Sequence, residues 1–148
     1  MIARISIQRE DFDAAAEVAA LSQDRAGIGA VATFTGLVRG DDGLTAMTLE
    51  HYPGMTEREI AAHVKEAEAR WPILGATIVH RVGTLKPGAR IVLVAVASSH
   101  RAAAFAACEF LMDYLKTRAP FWKLEQRGED ADWVAARASD DTAAERWR

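Results

Sequence analysis

Three cations stand close together in Asp113-Tyr-Leu-Lys-Thr-Arg-Ala-Pro-Phe-Trp-Lys123: Lys116, Arg118 and Lys123. Like charges at this spacing repel one another unless they are solvated, paired with acids or holding an anion. The lysines carry the most chemical interest. Clustered ammonium groups disfavour each other's charged form, which moves an amine toward the range of a general base or nucleophile. The plainer alternative is a helix C-terminus whose lysines complement its dipole, worth a few tenths of a kcal/mol. Spacing by itself leaves both readings open.

Other cations could serve an anion as well. Arg39 closes the run ATFTGLVR beside the turn Gly40-Asp-Asp-Gly43. His100 and Arg101 follow Ser98-Ser99, where a helix is predicted to begin. That junction combines free backbone N–H groups, the positive end of a helix dipole, an imidazole and a guanidinium, a set suited to phosphate oxygens. A serine-capped helix with solvated cations is the alternative. The remaining candidates are weaker. His51, His63, His80 and His100 show no metal-ligand spacing, and His63 reads as a surface or edge residue of a helix. Cys108 falls on the apolar side of the long helix with Phe105 and Met112, as a small buried hydrophobe. Gly27-Ile-Gly29 precedes a strand, whereas a dinucleotide fingerprint follows one.

The elements that must hold these residues alternate between strand and helix. Ile2–Ile7 has the two-residue period of a strand, and Asp11–Leu21 is an Ala-rich helix with acids at its start. AVATFTGLVR and LTAMTLEHY read as strands joined by the Gly-Asp-Asp-Gly turn, which predicts a hairpin. Thr56 and Glu59 form a capping-box pattern opening a helix to about Trp71. ATIVHRVG is a strand, and RIVLVAVAS is apolar on both faces and so belongs in a sheet centre. His100–Arg118 is the longest helical pattern, ended by Pro120, which disfavours helical geometry at Ala119. FWKLEQ is a final strand, followed by a polar tail with short-helix character. Its alternation sets Trp122 and Leu124 against Phe121, Lys123 and Glu125. With Trp122 and Leu124 in the core, Lys123 would turn outward and converge with Lys116 across the bend. The reading is one α+β domain spanning residues 1–148.

Composition bounds the function. Of 148 residues half are hydrophobic and 26% charged, ordinary for a globular protein. A net charge of −3 argues against a general nucleic-acid binder. No apolar run approaches the roughly 20 residues of a membrane span, and the charged N-terminus lacks the apolar stretch of a secretion signal. A cytoplasmic location is the expected default. One cysteine excludes an internal disulfide and a thiolate metal cage.

The segments ATFTGLVR, TLEHYPGMTE, His100-Arg101 and above all MDYLKTRAPFWK resemble the large, catalytic subunit of molybdopterin synthase, in order from about Gly29 to the C-terminus. The resemblance implies an α/β hammerhead-like fold with added antiparallel strands. It implies a sulfurtransferase of molybdenum cofactor biosynthesis that converts cyclic pyranopterin monophosphate to the dithiolene of molybdopterin. The sulfur would arrive as the thiocarboxylated Gly-Gly C-terminus of a small ubiquitin-like subunit, within a homodimer that forms the centre of a heterotetramer. No metal or organic cofactor is implied for this step. By motif, Lys116 and Lys123 match the family's catalytic lysines. Arg39, His100 and Arg101 match its substrate-binding residues, Phe34 and Met112 line the same pocket, and Arg137 in WVAAR resembles a further anion-pocket residue. The turn GDDGLTA is shorter than is usual in the family, which leaves closure of the pocket mouth open. The reading from another class is a noncatalytic module that binds a phosphorylated ligand or an acidic tail.

Distance adds one more expectation. Arg101 and Lys116 are 15 residues apart on the predicted helix, about 22 Å at 1.5 Å per residue. One small substrate cannot easily touch both, so either the helix breaks or two chains share a site; His100–Leu115 contains no proline or glycine to break it, and the shared site is expected.

Overall fold

The computed structural model describes residues 1–128, 130–134 and 138–148. Its centre is the strand β6 (Arg90–Ser98), in which Val92, Val94 and Val96 alternate with Leu93, Ala95 and Ala97 and all are buried. Such a strand needs cover on both faces and neighbours on both edges. The neighbours are β4 (Ile73–Arg81) and β2 (Ala30–Leu37), both antiparallel to it, and β1 (Ile2–Gln8) lies parallel to β4 at one edge. On one face, α1 (Ala14–Ser22) supplies Leu21 against Ala95 and Ala97, while Phe12 packs on Val79 and Leu93. Asp13 caps α1 by accepting the N–H of Ala16 at 3.1 Å.

The opposite face carries α2 (Met55–Arg70) and α3 (Arg101–Thr117). Ile60, Val64 and Ala67 of α2 join Ala104, Ala107, Phe110, Leu111 and Leu115 of α3 in one core cluster with Ile78, Val94 and Val96. The recurrence every three or four residues is what puts these side chains on one stripe of each helix. Phe105, expected on that stripe, is 65% exposed; Cys108 and Met112 are buried.

A second sheet runs in the order β5 (Gly83–Leu85), β3 (Ala46–His51), β7 (Phe121–Arg127), β8 (Asp130–Val134), all antiparallel, and α4 (Ala138–Glu145) follows it. Met47, Leu49 and Leu85 of this sheet belong to the same core cluster as the first. Gly83 carries the chain from β4 into β5 at φ +92°, where a side chain would be strained and would also meet Arg9. The protein is therefore α+β. Among the described residues no helix is long and apolar enough to cross a membrane.

Three local expectations are corrected. β2 and β3 do not form a hairpin: they lie in different sheets. The buried β6 needs a partner on its second edge, and β2 takes that place, continued by Val38 N–H to Ala89 O and Gly88 N–H to Val38 O. The start of α2 is not a Thr56–Glu59 box; Glu57 accepts the Gly54 N–H at 2.7 Å, while the Thr56 hydroxyl donates to Tyr52 O. Finally, Trp122 packs against the exposed Tyr52 ring, and Phe121 is the residue of β7 packed on the core. The face shared by Phe121, Lys123 and Glu125 consequently points inward.

Candidate active site

What lies beneath that inward face is a cavity of about 890 Å³, within the range of small-molecule sites. Several parts of the chain enclose it. The end of β2 supplies Phe34 to Leu37, and the following loop supplies Val38, Arg39, Asp41 and Asp42. The last turns of α3 supply Met112, Leu115, Lys116 and Thr117, and β7 supplies Phe121, Trp122, Lys123, Glu125 and Arg127. His80, at the end of β4, completes the lining together with residues of α4, the β3–β7 sheet and the Pro87 turn.

The bend that unites the lysines is built locally. Tyr114 O accepts N–H groups from both Arg118 and Ala119, ending α3. The chain then reverses through Pro120 into β7, where Lys123 pairs with Leu49 of β3. Lys116 and Lys123 are both half-buried and both line the cavity. Arg118, the third cation of the motif, is exposed and is not part of the lining. At the mouth, Arg39 Nε meets Asp41 at 3.1 Å, an exposed pair. Arg127 pairs with Glu125 at 2.9 Å and donates from Nε to the carbonyl of Asp42, which ties the short GDDG loop to β7. Gly40 lies so close to Pro87 that a Cβ would come within 2.9 Å of it.

His80 was not singled out by sequence reasoning. It is 6% exposed, donates from Nδ1 to Arg81 O at 2.9 Å, and stacks on Phe121 with centroids 3.9 Å apart. Burial pushes its pKa down to about 3, and the positive charges of Lys123 and Lys116 push the same way. The imidazole is neutral at ordinary pH. The one available signal was a histidine on the inward, otherwise apolar face of ATIVHR. Cys108, by contrast, is as expected: burial raises its thiol to about 11, so it has no thiolate to offer.

The sequence-predicted residues thus divide. Phe34, Arg39, Met112, Lys116 and Lys123 share one cavity. His100 and Arg101 are exposed at the opposite end of an unbroken α3 and do not line it. His100 is the N-cap residue but makes no side-chain cap bond, and Ser98 Oγ donates to Pro72 O instead of serving as the cap. Arg137 lies outside the described residues.

The fold and this cavity define a class, an α+β protein whose cavity sets two lysines and two arginines among acidic and apolar side chains. The comparisons narrow it. The family model described as MoaE protein matches residues 7–118. The chain is 56% identical over 147 residues to the molybdopterin synthase catalytic subunit of Mesorhizobium japonicum, covering 97% of this chain and 92% of that protein. A solved structure of the molybdopterin biosynthesis MoaE protein from Burkholderia ambifaria matches with a TM-score of 0.85 at 55% identity, over 99% of this chain and 98% of that one. A complex of subunits 1 and 2 of the molybdopterin-converting factor from Helicobacter pylori shares the fold, with a TM-score of 0.75 at 20% identity over 90% and 91% of the two chains. This chain belongs to the MoaE family.

Proposed function

We propose that the protein is the catalytic subunit of a molybdopterin synthase, a sulfurtransferase that moves sulfur from the thiocarboxylated C-terminus of a small ubiquitin-like subunit to cyclic pyranopterin monophosphate. The observation that carries this reading is that Lys116 and Lys123, from a helix end and a strand, line one cavity. Both the pterin's phosphate and the partner's thiocarboxylate are anions, and each gains from ammonium groups fixed before it arrives. Lys116 serves as the principal proton-transfer or nucleophilic group and Lys123 assists. Arg39 receives the phosphate at the mouth. Its present partner, Asp41, is exposed, and such pairs contribute only about 0–1 kcal/mol, so an incoming anion displaces it at little cost. A Gly-Gly tail has no side chains to obstruct entry and can lie extended across the site. Family membership and the two-subunit complex of the shared fold support the partner.

The second half of the site comes from a second copy of the chain. α3 runs from Arg101 to Thr117 without a break, so the two ends remain about 22 Å apart. His100 and Arg101 of one protomer then serve the cavity of the other, in a homodimer flanked by two small subunits.

The test is reconstitution with thiocarboxylated partner and pterin substrate. Lys116→Ala should fold with stability within about 0.5 kcal/mol of the parent, as expected for a solvent-reaching lysine, and form no dithiolene product. Near-normal turnover in that variant refutes the assignment. Tight binding without any turnover in the parent chain points instead to a binding module.

A further inference from the structure

The lysine assignments leave the most deeply buried polar side chain of the cavity lining, His80, without a task. Its Nδ1–H is committed to the Arg81 carbonyl and one ring face to Phe121. With Nδ1 a donor, Nε2 of the neutral ring holds the lone pair and can only accept. Among the described residues the sealed side-chain polar atoms left without a partner are Arg25 Nη1 and Tyr114 Oη. His80 Nε2 is not one of them, and the surface its ring borders is the cavity. The groups that act on the ring electrostatically come from three elements: Lys123 from β7, Lys116 from α3 and His51 from β3. His51 is held elsewhere, with Nδ1 3.1 Å from the Thr56 hydroxyl.

We propose that His80 is a positioning residue for the lysine pair, its Nε2 acting as an uncharged hydrogen-bond acceptor that orients the amines of Lys116 and Lys123 inside the cavity. This rests on the sulfur-transfer reading of the same site. The physical advantage lies in the missing charge. A carboxylate at this position would also orient the lysines, but it would hold them protonated and repel the incoming anion. An apolar ring would fill the space and preserve the stack on Phe121, yet offer the N–H groups nothing to point at. A neutral imidazole gives the amines an acceptor, favours their ammonium form less than a carboxylate would, and does not repel the anion. Burial and the adjacent positive charges keep it neutral, so the acceptor persists across the pH range in which the lysines are to work.

Three variants separate these cases: His80→Phe removes the acceptor, His80→Asn keeps an uncharged one, and His80→Asp adds charge. Each is acylated as the folded chain with acetic anhydride at mildly alkaline pH. Labelling of Lys116 and Lys123 is read by peptide mass spectrometry against the exposed Lys65 and Lys86 in the same sample. An acceptor favours the ammonium form, so its loss in His80→Phe should raise relative labelling of the site lysines about threefold or more, and the carboxylate of His80→Asp should lower it by a similar factor. His80→Asn should stay near the parent. In turnover assays His80→Phe should lose about tenfold or more in kcat with little change in KM for the partner, and His80→Asn should recover most of it. A purely structural histidine would leave labelling of the site lysines in His80→Phe near that of His80→Asn, because the aspartate of His80→Asp acts by its own charge and serves only to show that the lysines sense this position. A smaller labelling change in the Phe variant overturns the proposal. Should His80→Phe fail to fold, His80→Leu removes the acceptor in its place and is read against His80→Asn in the same way. If the parent chain transfers no sulfur, the proposed function falls, while the labelling experiment still decides the role of His80.

Discussion

The two ends of α3 bear similar charges and have opposite surroundings. At the C-terminal end, Lys116 is half-buried and lines a cavity shared with Lys123, Met112 and His80. At the N-terminal end, His100 and Arg101 are exposed on a surface with Phe105, which is also exposed. Between them lie nine buried residues, among them Ala104, Ala107, Leu111 and Leu115, that bind the helix to β6 and its neighbours. A helix packed this firmly can neither bend nor slide to bring its ends together. The contrast teaches that a rigid helix fixes its two ends in separate surroundings, so any single site that used both ends would have to be shared between two chains.

The strongest way to break this comparison is to poison each end separately. Lys116→Ala and Arg101→Ala chains should each be inactive alone. After confirmed subunit exchange, a mixture should regain up to about a quarter of parental activity, because half the dimers then contain one intact composite site of two. A mixture that stays dead rules out sharing between protomers. A smaller but still large effect is expected from the middle of the helix. Leu111→Ala, at a fully buried position, should cost about 2–5 kcal/mol in chemical denaturation. A loss below about 1 kcal/mol would mean that the helix is not the rigid spacer described.

The smallest effect concerns acid. His80 is neutral in the folded state down to about pH 3, whereas in the unfolded chain it takes up a proton near 6.5. Its folded pKa is depressed, so its contribution is complete above the unfolded value and is lost as pH falls from 6.5 toward 3. The slope reaches about 1.4 kcal/mol per pH unit. Asp11, lowered to about 2 chiefly by its bonds from Arg90, loses its contribution only as pH falls from about 3.8 through 2. Unfolding measured between pH 6 and pH 4.5 should therefore be less pH-sensitive in His80→Phe than in the parent. Equal slopes would show that His80 is not held neutral by its surroundings.

Much of this was legible in the chain itself. The double apolar alternation of β6, the acids at the start of α1 and Pro120 after α3 are local patterns, and each became the element it predicted. The lysine pair was legible for the same reason: helix, proline bend and strand succeed one another within eleven residues, Asp113 to Lys123. Where neighbours compete, local pattern failed. The Gly40–Gly43 turn suited a hairpin, but β6 offered β2 a longer run of hydrogen bonds, and β3 paired with β5 and β7. Alternation in β7 correctly separated its two faces but could not tell which one was covered; Tyr52 and the core decided between Trp122 and Phe121.

The sequence by itself determined that the protein is an α+β chain with a cationic bend, and that Arg101 and Lys116 stand about 22 Å apart on any unbroken helix; the structure showed that α3 is unbroken. Tertiary structure decided the rest of the site. It turned Phe121 and Lys123 inward, brought Arg39 and Phe34 from β2 and its loop to the same cavity, and placed His80 beside the lysines. Those residues are separated by tens of positions in the chain. What joins them is the packing of two sheets against α3, a nonlocal balance of burial and hydrogen bonding that no short stretch of sequence expresses.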